Sequence, residues 1–272
     1  MILVAIISGK GGSGKTTCCM GIARALNSLG YQAAILDLDL ENPSIGTACG
    51  LSREDLTFSG DYIVPPSWFG VPVMSLSLFP LLDFTDTPLL VDEERKHEII
   101  GQLFKEVDWG KTEVLLVDMP PGSGEEVRGL LELGPDSAIV VTTPQRISEA
   151  AVAKVIQMAN EYAIPILGIV ENNLNNVPGS AGQNLSEKYH IRIVGTIPWD
   201  VKIAQAMEDA KPLPIEHFLM AADTVVARLA KELDSKNGHK AGDPPPYLLH
   251  NGSPTSQPVG SVGPGQEESP GG

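Results

Sequence analysis

Short apolar runs alternate along the chain with segments in which apolar residues recur at helical spacing. The apolar runs are rich in Val, Ile and Leu and predict buried strands at residues 1–7, 33–37, 71–76, 114–118, 137–145, 166–173 and 193–200. The helical spacing predicts a first helix containing residues 22–29 and further helices at 94–107, 148–162, 201–210 and 216–233, with Ser148 as an N-cap. This alternation predicts an α/β fold: a doubly wound, mostly parallel sheet with helices on both faces.

The loop after the first strand fits a phosphate-binding pattern. Residues 9–16 read Gly-Lys-Gly-Gly-Ser-Gly-Lys-Thr, which satisfies G-x-x-x-x-G-K-[ST] at every fixed position. Glycines let the backbone approach phosphate oxygens, and the following helix N-terminus directs N–H groups at their charge. Lys15 is predicted to reach the β- and γ-phosphates and the Thr16 hydroxyl to ligate Mg²⁺. The predicted nucleotide contacts in this loop are Gly11, Gly12, Ser13, Gly14, Lys15, Thr16 and Thr17.

Two later strands end in carboxylates. Asp37 and Asp39 lie at the carboxyl end of the second strand, where parallel sheets bind ligands. Asp118 ends the strand at 114–118 in the manner of a Walker B motif, and its carboxylate is predicted to hold Mg²⁺, usually through a water. A polar turn that contains an Asx-Pro breaker is the alternative interpretation of residues 37–44.

Lys10 gives the loop a second lysine, and with it the loop resembles the deviant Walker A class of P-loop ATPases, the MinD/ParA/Mrp group. Four further segments are similar to the Mrp/ApbC branch of that class. They are Asn-Pro-Ser-Ile at 42–45, Trp-Gly at 109–110, Asp-Met-Pro-Pro-Gly-Ser-Gly at 118–124 and Val-Thr-Thr-Pro-Gln at 141–145.

The resemblance implies roles for individual residues. It implies a homodimer that closes around ATP, in which Lys10 reaches the nucleotide of the opposite subunit. It also implies that Asp39 orients or activates the attacking water, that Asp37 lies near Mg²⁺, that Asn172 contacts adenine, and that Pro198, Trp199 and Asp200 border the base. The alternatives are a solvated surface lysine at 10, a turn asparagine at 172 and a packing role for Trp199.

One departure from the family concerns cysteine. Mrp/ApbC iron–sulfur carriers follow this asparagine with C-x-x-C, whereas residues 172–180 of this chain contain no cysteine, and the only cysteines are Cys18, Cys19 and Cys49. Because iron–sulfur clusters are held by thiolates, a bridging cluster at that position is not supported. Cys18 and Cys19 are expected to be buried small hydrophobes, and a pairing of two Cys49 residues across a dimer is an alternative.

Composition narrows the picture further. The 272 residues carry a net charge of −15, which argues against a broad nucleic-acid-binding surface. No apolar stretch is long enough to span a bilayer and the start lacks a signal-peptide pattern, so a cytoplasmic location is expected. Residues 1–235 are predicted to form one P-loop ATPase domain, and the Pro-, Gly- and Ser-rich residues 236–272 a disordered tail.

The expected function is Mg²⁺-dependent binding and slow hydrolysis of ATP, in iron–sulfur or other metallocofactor assembly and beside a client protein. A MinD/ParA-like switch is the alternative, in which nucleotide-gated dimerisation controls binding of a protein partner. A nucleotide-binding scaffold with little turnover ranks last, because Lys15, Asp39 and Asp118 are all present.

Overall fold

The computed structural model describes residues 1–39, 42–78, 93–173 and 176–237. Its main sheet has eight strands in the order β10-β9-β8-β1-β7-β2-β6-β5, and β3 and β4 form a separate antiparallel pair. The strands are β1 Ile2–Ser8, β2 Ala33–Asp37, β3 Thr57–Ser59, β4 Tyr62–Val64, β5 Ser67–Trp68, β6 Val71–Ser75, β7 Val114–Asp118, β8 Ser137–Thr142, β9 Ile166–Asn172 and β10 Ile193–Ile197.

Helices connect the parallel strands. They are α1 Lys15–Ser28, α2 Ile45–Ala48, α3 Glu93–Glu106, α4 Glu125–Glu132, α5 Ile147–Glu161, α6 Ala181–Tyr189, α7 Val201–Glu208 and α8 Leu219–Asn237. Short 3-10 turns occur at Arg53–Asp55, Leu76–Leu78 and Ile215–His217. All strand pairs of the main sheet are parallel except β5 with β6.

The central strand β1 shows why both faces of the sheet are covered. Alternate side chains of a strand point to opposite faces, and here both sets are apolar. Ile2, Val4 and Ile6 belong to the core formed with α1 and α8, whereas the intervening positions belong to the core that includes α3, α4, α5 and α6. A strand buried on both faces therefore has the continuous apolar sequence from which it was predicted. The α/β, doubly wound, mostly parallel prediction is confirmed.

The edges of the sheet differ from its centre. Edge strand β5 has two residues and pairs antiparallel with β6, with Ser67 opposite Pro72. At the other edge, the register of β10 against β9 shifts between Ile193 and Gly195. Neither β5 nor the β3–β4 pair is predicted from the sequence, because their two- and three-residue strands are too short to show a period.

Several predicted boundaries differ from the structure. The helix predicted at 148–162 begins at Ile147, and Ser148 is not its N-cap, because its buried hydroxyl lies 2.6 Å from the Thr143 hydroxyl. The last helix runs from Leu219 to Asn237, past the predicted end at 233 and two residues into the predicted tail. Helices α4 and α6 are short and are not predicted by periodicity. The remainder of the tail, from 238, and the loop predicted at 79–91 lie outside the described residues.

Helix α1 packs so closely on the segment before α8 that a side chain at Gly21 has no space. A Cβ added at Gly21 would meet the ring of Phe218, which is 1% exposed. We expect Gly21→Ala to lower the free energy of unfolding by about 1–3 kcal/mol through overpacking.

The matched control is Gly101→Ala in α3, where an added Cβ meets nothing within 4 Å. Gly101→Ala should raise stability by about 0.5–1 kcal/mol through helix propensity. Urea denaturation measures the free energy of unfolding of both variants. If both variants change it in the same direction, the close packing of Gly21 on Phe218 is contradicted.

Candidate nucleotide and metal site

Three sequence-distant segments meet at the carboxyl ends of the central strands. Strands β1, β7 and β2 are adjacent, and the glycine loop follows β1. Asp37 and Asp118 end β2 and β7 and are direct partners in the sheet register. The topology thus brings together the loop at 9–16 and both predicted carboxylate segments.

The glycine loop has the conformation that its composition predicts. Gly12 and Gly14 adopt left-handed backbone angles, with φ of 69° and 84°, which other residues rarely adopt. The hydroxyl of Ser8 donates to the Lys10 carbonyl at 3.0 Å and fixes the start of the loop. Gly14 is the N-cap of α1, and no side chain caps this helix. Because its first turn also lacks an acidic residue, the amides at this terminus are suited to an anion.

Lys15 adds a full positive charge at the same place. Its side chain is buried, with 7% of the residue exposed, and it forms no ion pair within the described part of the chain. A buried cation is costly unless an opposite charge accompanies it. Asp118 is near enough for the charge of Lys15 to act on it but forms no ion pair with it, so Lys15 and the uncapped amides of α1 together suit an anionic ligand.

Thr16 and Asp118 form a compact set of hard oxygen atoms. The Thr16 hydroxyl donates to Asp118 Oδ2 at 2.6 Å and lies 3.2 Å from the Ser44 hydroxyl. Asp118 Oδ1 is buried and has no hydrogen-bond partner among the described residues. A carboxylate oxygen left open beside a threonine hydroxyl fits Mg²⁺ or one of its waters.

Burial dominates the electrostatics of Asp118. Burial, and after it the nearby charge of Asp37, raise the pKa of this carboxyl to about 7, whereas the Thr16 hydrogen bond and the charge of Lys15 act in the opposite direction. A cation bound at Oδ1 would favour the ionised form in the same way as Lys15 does.

Asp37 lies beside Asp118, but its oxygens are taken by donors of this chain. Oδ1 accepts from the Asp39 amide at 3.1 Å, and Oδ2 accepts from the Ile45 amide at 3.1 Å and from the Ser75 hydroxyl at 2.9 Å. Burial raises the pKa of Asp37 to about 6, against the effect of these three hydrogen bonds. The carboxylate predicted to lie near Mg²⁺ thus anchors the segment at 38–45. Asp39 is half-buried in that segment, and its Oδ1 accepts from the Asn42 amide at 3.0 Å.

Lys10 and Asn172 contact the glycine loop and its surroundings. Lys10 Nζ donates to Gln145 Oε1 at 3.4 Å, at the beginning of the segment that leads into α5. Asn172 is fully buried, and its Nδ2 donates to the Ser13 carbonyl at 3.3 Å. Asn172 Oδ1 and Ser13 Oγ are buried without partners among the described residues. Asn172 therefore has its acceptor oxygen open, and one of the two N–H groups of its side-chain amide is bound to the loop.

The residues after β10 line a small pocket. Asp200 caps α7 by accepting from the Lys202 amide at 2.8 Å, and its other oxygen lies 3.6 Å from His217 Nε2. Trp199 is 54% exposed, which argues against a packing role for its ring. The pocket is formed by the predicted base-binding residues and their neighbours: Thr17, Ile197, Pro198, Trp199, Asp200, Ile203, Ala204 and Met207. Since Ile197 pairs with Asn172 in the sheet, the pocket lies next to the buried asparagine.

All three cysteines are buried. Burial raises the pKa of the Cys49 thiol to about 12, with a contribution from Asp37, and raises the pKa of Cys18 and Cys19 well above the ordinary value. No group of three or more His, Cys, Asp and Glu side chains that could hold a metal ion occurs among the residues that the structure describes. Protonated, buried thiols are poor ligands for an iron–sulfur cluster.

Sequence reasoning did not find three polar residues at this site. Ser44 lies within the segment that carries the family resemblance, Gln145 ends a second such segment, and Ser75 ends β6. The first two belong to recognised motifs and were open to prediction. Ser75 follows a strand of ordinary composition, and its contact with Asp37 depends on the pairing of β2 with β6, which no local pattern shows.

Comparison with known proteins identifies the family of this chain. A family model described as an NUBPL iron-transfer P-loop NTPase, of the ParA group, matches residues 2–234. The chain belongs to this family. The predicted resemblance to Mrp/ApbC-like members of the MinD/ParA superfamily is therefore confirmed.

Two relatives of this chain are named for iron–sulfur cluster carriage or assembly. The iron–sulfur cluster carrier protein of Aquifex aeolicus is 31% identical over 228 residues, which are 79% of this chain but only 62% of that protein. The cytosolic Fe–S cluster assembly factor NUBP2 homolog of Dictyostelium discoideum is 34% identical over 225 residues, covering 75% of this chain and 83% of that protein.

Solved structures agree with the family. A nucleotide-binding protein from Archaeoglobus fulgidus in complex with ADP has a TM-score of 0.65 at 27% identity, covering 80% of this chain and 87% of that chain. The septum site-determining protein MinD from Pyrococcus horikoshii, complexed with Mg-ADP, has a TM-score of 0.60 at 23% identity, covering 88% and 98%. At 23% identity, the similarity to MinD shows only that the two proteins share a fold. Among the described residues, this NTPase has no helix that is long and apolar enough to cross a membrane.

The raised pKa values give a pH dependence of stability. Asp37 and Asp118 bind protons in the folded, nucleotide-free protein at pH values where the unfolded chain has lost them, so their contribution is lost as the pH rises through about 6–7. We expect the nucleotide-free protein to lose about 1–3 kcal/mol from this source between about pH 5.5 and pH 8. Asp118→Asn, which mimics the protonated form, should flatten this slope. Denaturant titrations at pH 5.5 and pH 8 measure the loss of unfolding free energy. If Asp118→Asn loses as much as the wild type, the pH dependence does not come from Asp118.

Proposed function

We propose that this protein binds and hydrolyses ATP with Mg²⁺ and acts in the assembly of iron–sulfur or related metallocofactors. The observation that supports nucleotide binding most strongly is Lys15, a buried cation without an ion pair among the described residues, at an uncapped helix N-terminus. Triphosphate oxygens would satisfy both the charge and the amides of the first turn.

The metal would be held by Thr16 and Asp118. The Thr16 hydroxyl would be a direct ligand and the open Asp118 oxygen would accept from a metal-bound water, because Mg²⁺ keeps much of its hydration shell in such sites. When bound, the ion would supply charge stabilisation to phosphate oxygens. Lys15 and the loop amides from Gly11 to Thr17 stabilise the developing negative charge on the same oxygens.

Hydrolysis requires a positioned water. In the proposed step its oxygen bonds to the γ-phosphorus, the bond from that phosphorus to the β,γ-bridging oxygen breaks, and ADP leaves. One proton of the water stays on the phosphate that forms, and the other passes to solvent. Asp39 orients the water and is itself held by the hydrogen bond from its amide to Asp37. Lys10 of a second subunit contributes positive charge across a homodimer interface. Its hydrogen bond to Gln145 is long, at 3.4 Å, and is therefore readily exchanged.

The base would occupy the pocket lined by Pro198, Trp199 and Asp200. Asn172 Oδ1 lies beside this pocket as a buried acceptor without a partner among the described residues, and one N–H of the same amide is bound to the Ser13 carbonyl. An acceptor at this position favours the 6-amino group of adenine over the 6-oxo group of guanine. The bond to Ser13 uses one of the two N–H groups of this amide, so the second remains for recognition by both sides of the amide, as the residue type alone suggested.

The role in cofactor assembly rests on the relatives, which are named iron–sulfur cluster carriers and a cytosolic assembly factor. The buried, protonated cysteines support a division of labour in which this chain supplies nucleotide-gated closure and a cysteine-bearing partner holds the cluster. The same observation favours, as second candidate, a MinD/ParA-like switch that binds a protein partner without any cluster. A cytoplasmic location fits either function.

The decisive test of the site is Mg²⁺-dependent release of phosphate from ATP. We expect slow turnover in the wild type and a loss of about 10²–10³-fold in Lys15→Ala, because the cation that stabilises the phosphoryl group is removed. Asp39→Ala should still bind ATP but hydrolyse it poorly. The matched control is Lys154→Ala, which removes an exposed lysine of α5 outside the site. Equal activity in Lys15→Ala and Lys154→Ala would refute the proposed site.

Anaerobic reconstitution with iron and sulfide tests the division of labour. Because all three thiols are buried, we expect the purified protein to retain no stable cluster, measured by visible absorbance and iron per dimer, and Cys49→Ser to behave identically. A cluster that forms in the wild type and disappears in Cys49→Ser would instead identify this chain as a carrier with a new ligand site.

A further inference from the structure

Two serine hydroxyls at the end of strand β6 lead to the Asp37 carboxylate, and Ser75 is the buried one that contacts it. Ser75 is fully buried at the end of β6, and it lies opposite Asp37 in the pairing of β2 with β6. Its hydroxyl donates to Asp37 Oδ2 at 2.9 Å. Ser77 supports Ser75 twice, since its hydroxyl lies 2.9 Å from Ser75 Oγ and its amide donates to Ser75 Oγ at 3.3 Å.

The carboxylate that Ser75 binds holds both ends of the segment at 38–45. Asp37 Oδ1 accepts from the Asp39 amide near its beginning, and Oδ2 accepts from the Ile45 amide at the start of α2. Ser44, just before Ile45, lies beside the Thr16 hydroxyl. The orientation of one carboxylate therefore determines where Asp39 and Ser44 lie relative to the phosphate loop.

A second contact joins the end of β6 to the same segment. The turn at Leu76–Leu78 packs on α2, and a Cβ added at Gly46 would coincide with Ser77 Oγ. Glycine at 46 permits this approach without a shift of the Ser77 side chain. The end of β6, the turn and α2 thus form one packed unit around Asp37.

We propose that Ser75 is a positioning residue for ATP hydrolysis: by donating to Asp37, it fixes the carboxylate that binds the Asp39 and Ile45 amides, and so places Asp39 where it faces the attacking water. Ser75 reaches the reaction only through Asp37 and Asp39. The proposal rests on the proposed function for the role of Asp39, whereas the hold on the segment itself is independent of catalysis.

Two variants of Ser75 separate positioning from packing. Ser75→Ala removes the hydroxyl, and Ser75→Thr keeps it with a side chain that suits a strand. The matched control is Ser137→Ala in β8, which removes an equally buried serine hydroxyl that has no hydrogen-bond partner among the described residues. Thermal melts establish that each variant is folded.

Steady-state ATP hydrolysis is the first measurement. In Ser75→Ala we expect kcat to fall by about 10- to 100-fold, as for a misplaced catalytic group, with KM and nucleotide affinity within about twofold of wild type. Ser75→Thr should recover most of kcat, and Ser137→Ala should match wild type. An unchanged kcat in Ser75→Ala, a change confined to KM, or a folded Ser75→Thr as inactive as Ser75→Ala would overturn the proposal.

Hydrogen exchange supplies a readout that does not need turnover. Peptides covering residues 37–49 should exchange about tenfold faster in Ser75→Ala than in wild type or Ser137→Ala, because the Asp39 and Ile45 amides lose a fixed acceptor. If the wild type fails to hydrolyse ATP, the proposed function is wrong, and this exchange result still decides whether Ser75 holds the segment. Unchanged exchange in those peptides would refute the inference even in an active enzyme.

Discussion

Two carboxylates side by side inside a sheet are the constraint on which the nucleotide end of this protein depends. Asp37 and Asp118 are register partners on adjacent strands and are 0% and 2% exposed. Neighbouring buried like charges are tolerated only where donors and cations surround them. Thr16, Ser75 and the backbone amides at 39 and 45 supply the donors, and Lys15 supplies a nearby positive charge. The groups that stabilise the two carboxylates therefore belong to the segments that surround the proposed nucleotide site: the glycine loop, the residues after β2 and the end of β6.

The two carboxylates have different roles because their neighbours differ. Asp37 accepts three hydrogen bonds from its own chain, whereas Asp118 accepts one from Thr16 and keeps a buried oxygen open. One carboxylate therefore organises backbone and the other remains available to a ligand. Residue type and strand position are the same for both, so the distinction arises from what the fold brings next to each of them.

Features encoded by short stretches of sequence were predictable here. The continuous apolar runs of β1, β7 and β8 identified the buried parallel strands, and the glycine loop identified the start of α1. The loop conformation followed because left-handed angles at Gly12 and Gly14 require glycine. The segments matching the Mrp/ApbC pattern also led to the correct family.

Features that depend on which strands become neighbours were not predictable. The contact of Ser75 with Asp37 exists because β6 pairs with β2, and the orientation of Asn172 is set by a carbonyl of the glycine loop. Ser148 had the composition and position of an N-cap, yet its hydroxyl pairs with Thr143 in the interior. The contacts of Ser75 and Asn172 join segments far apart in the sequence, whereas Ser148 bonds to a residue only five positions away in place of capping the helix.

The edges of the main sheet have a consequence for association. An open strand edge invites another chain to add a strand, which is a common route to aggregation. Here one edge is a two-residue strand facing a proline, and the other carries a register irregularity that interrupts regular pairing. Strand addition is therefore disfavoured at both edges of the described sheet.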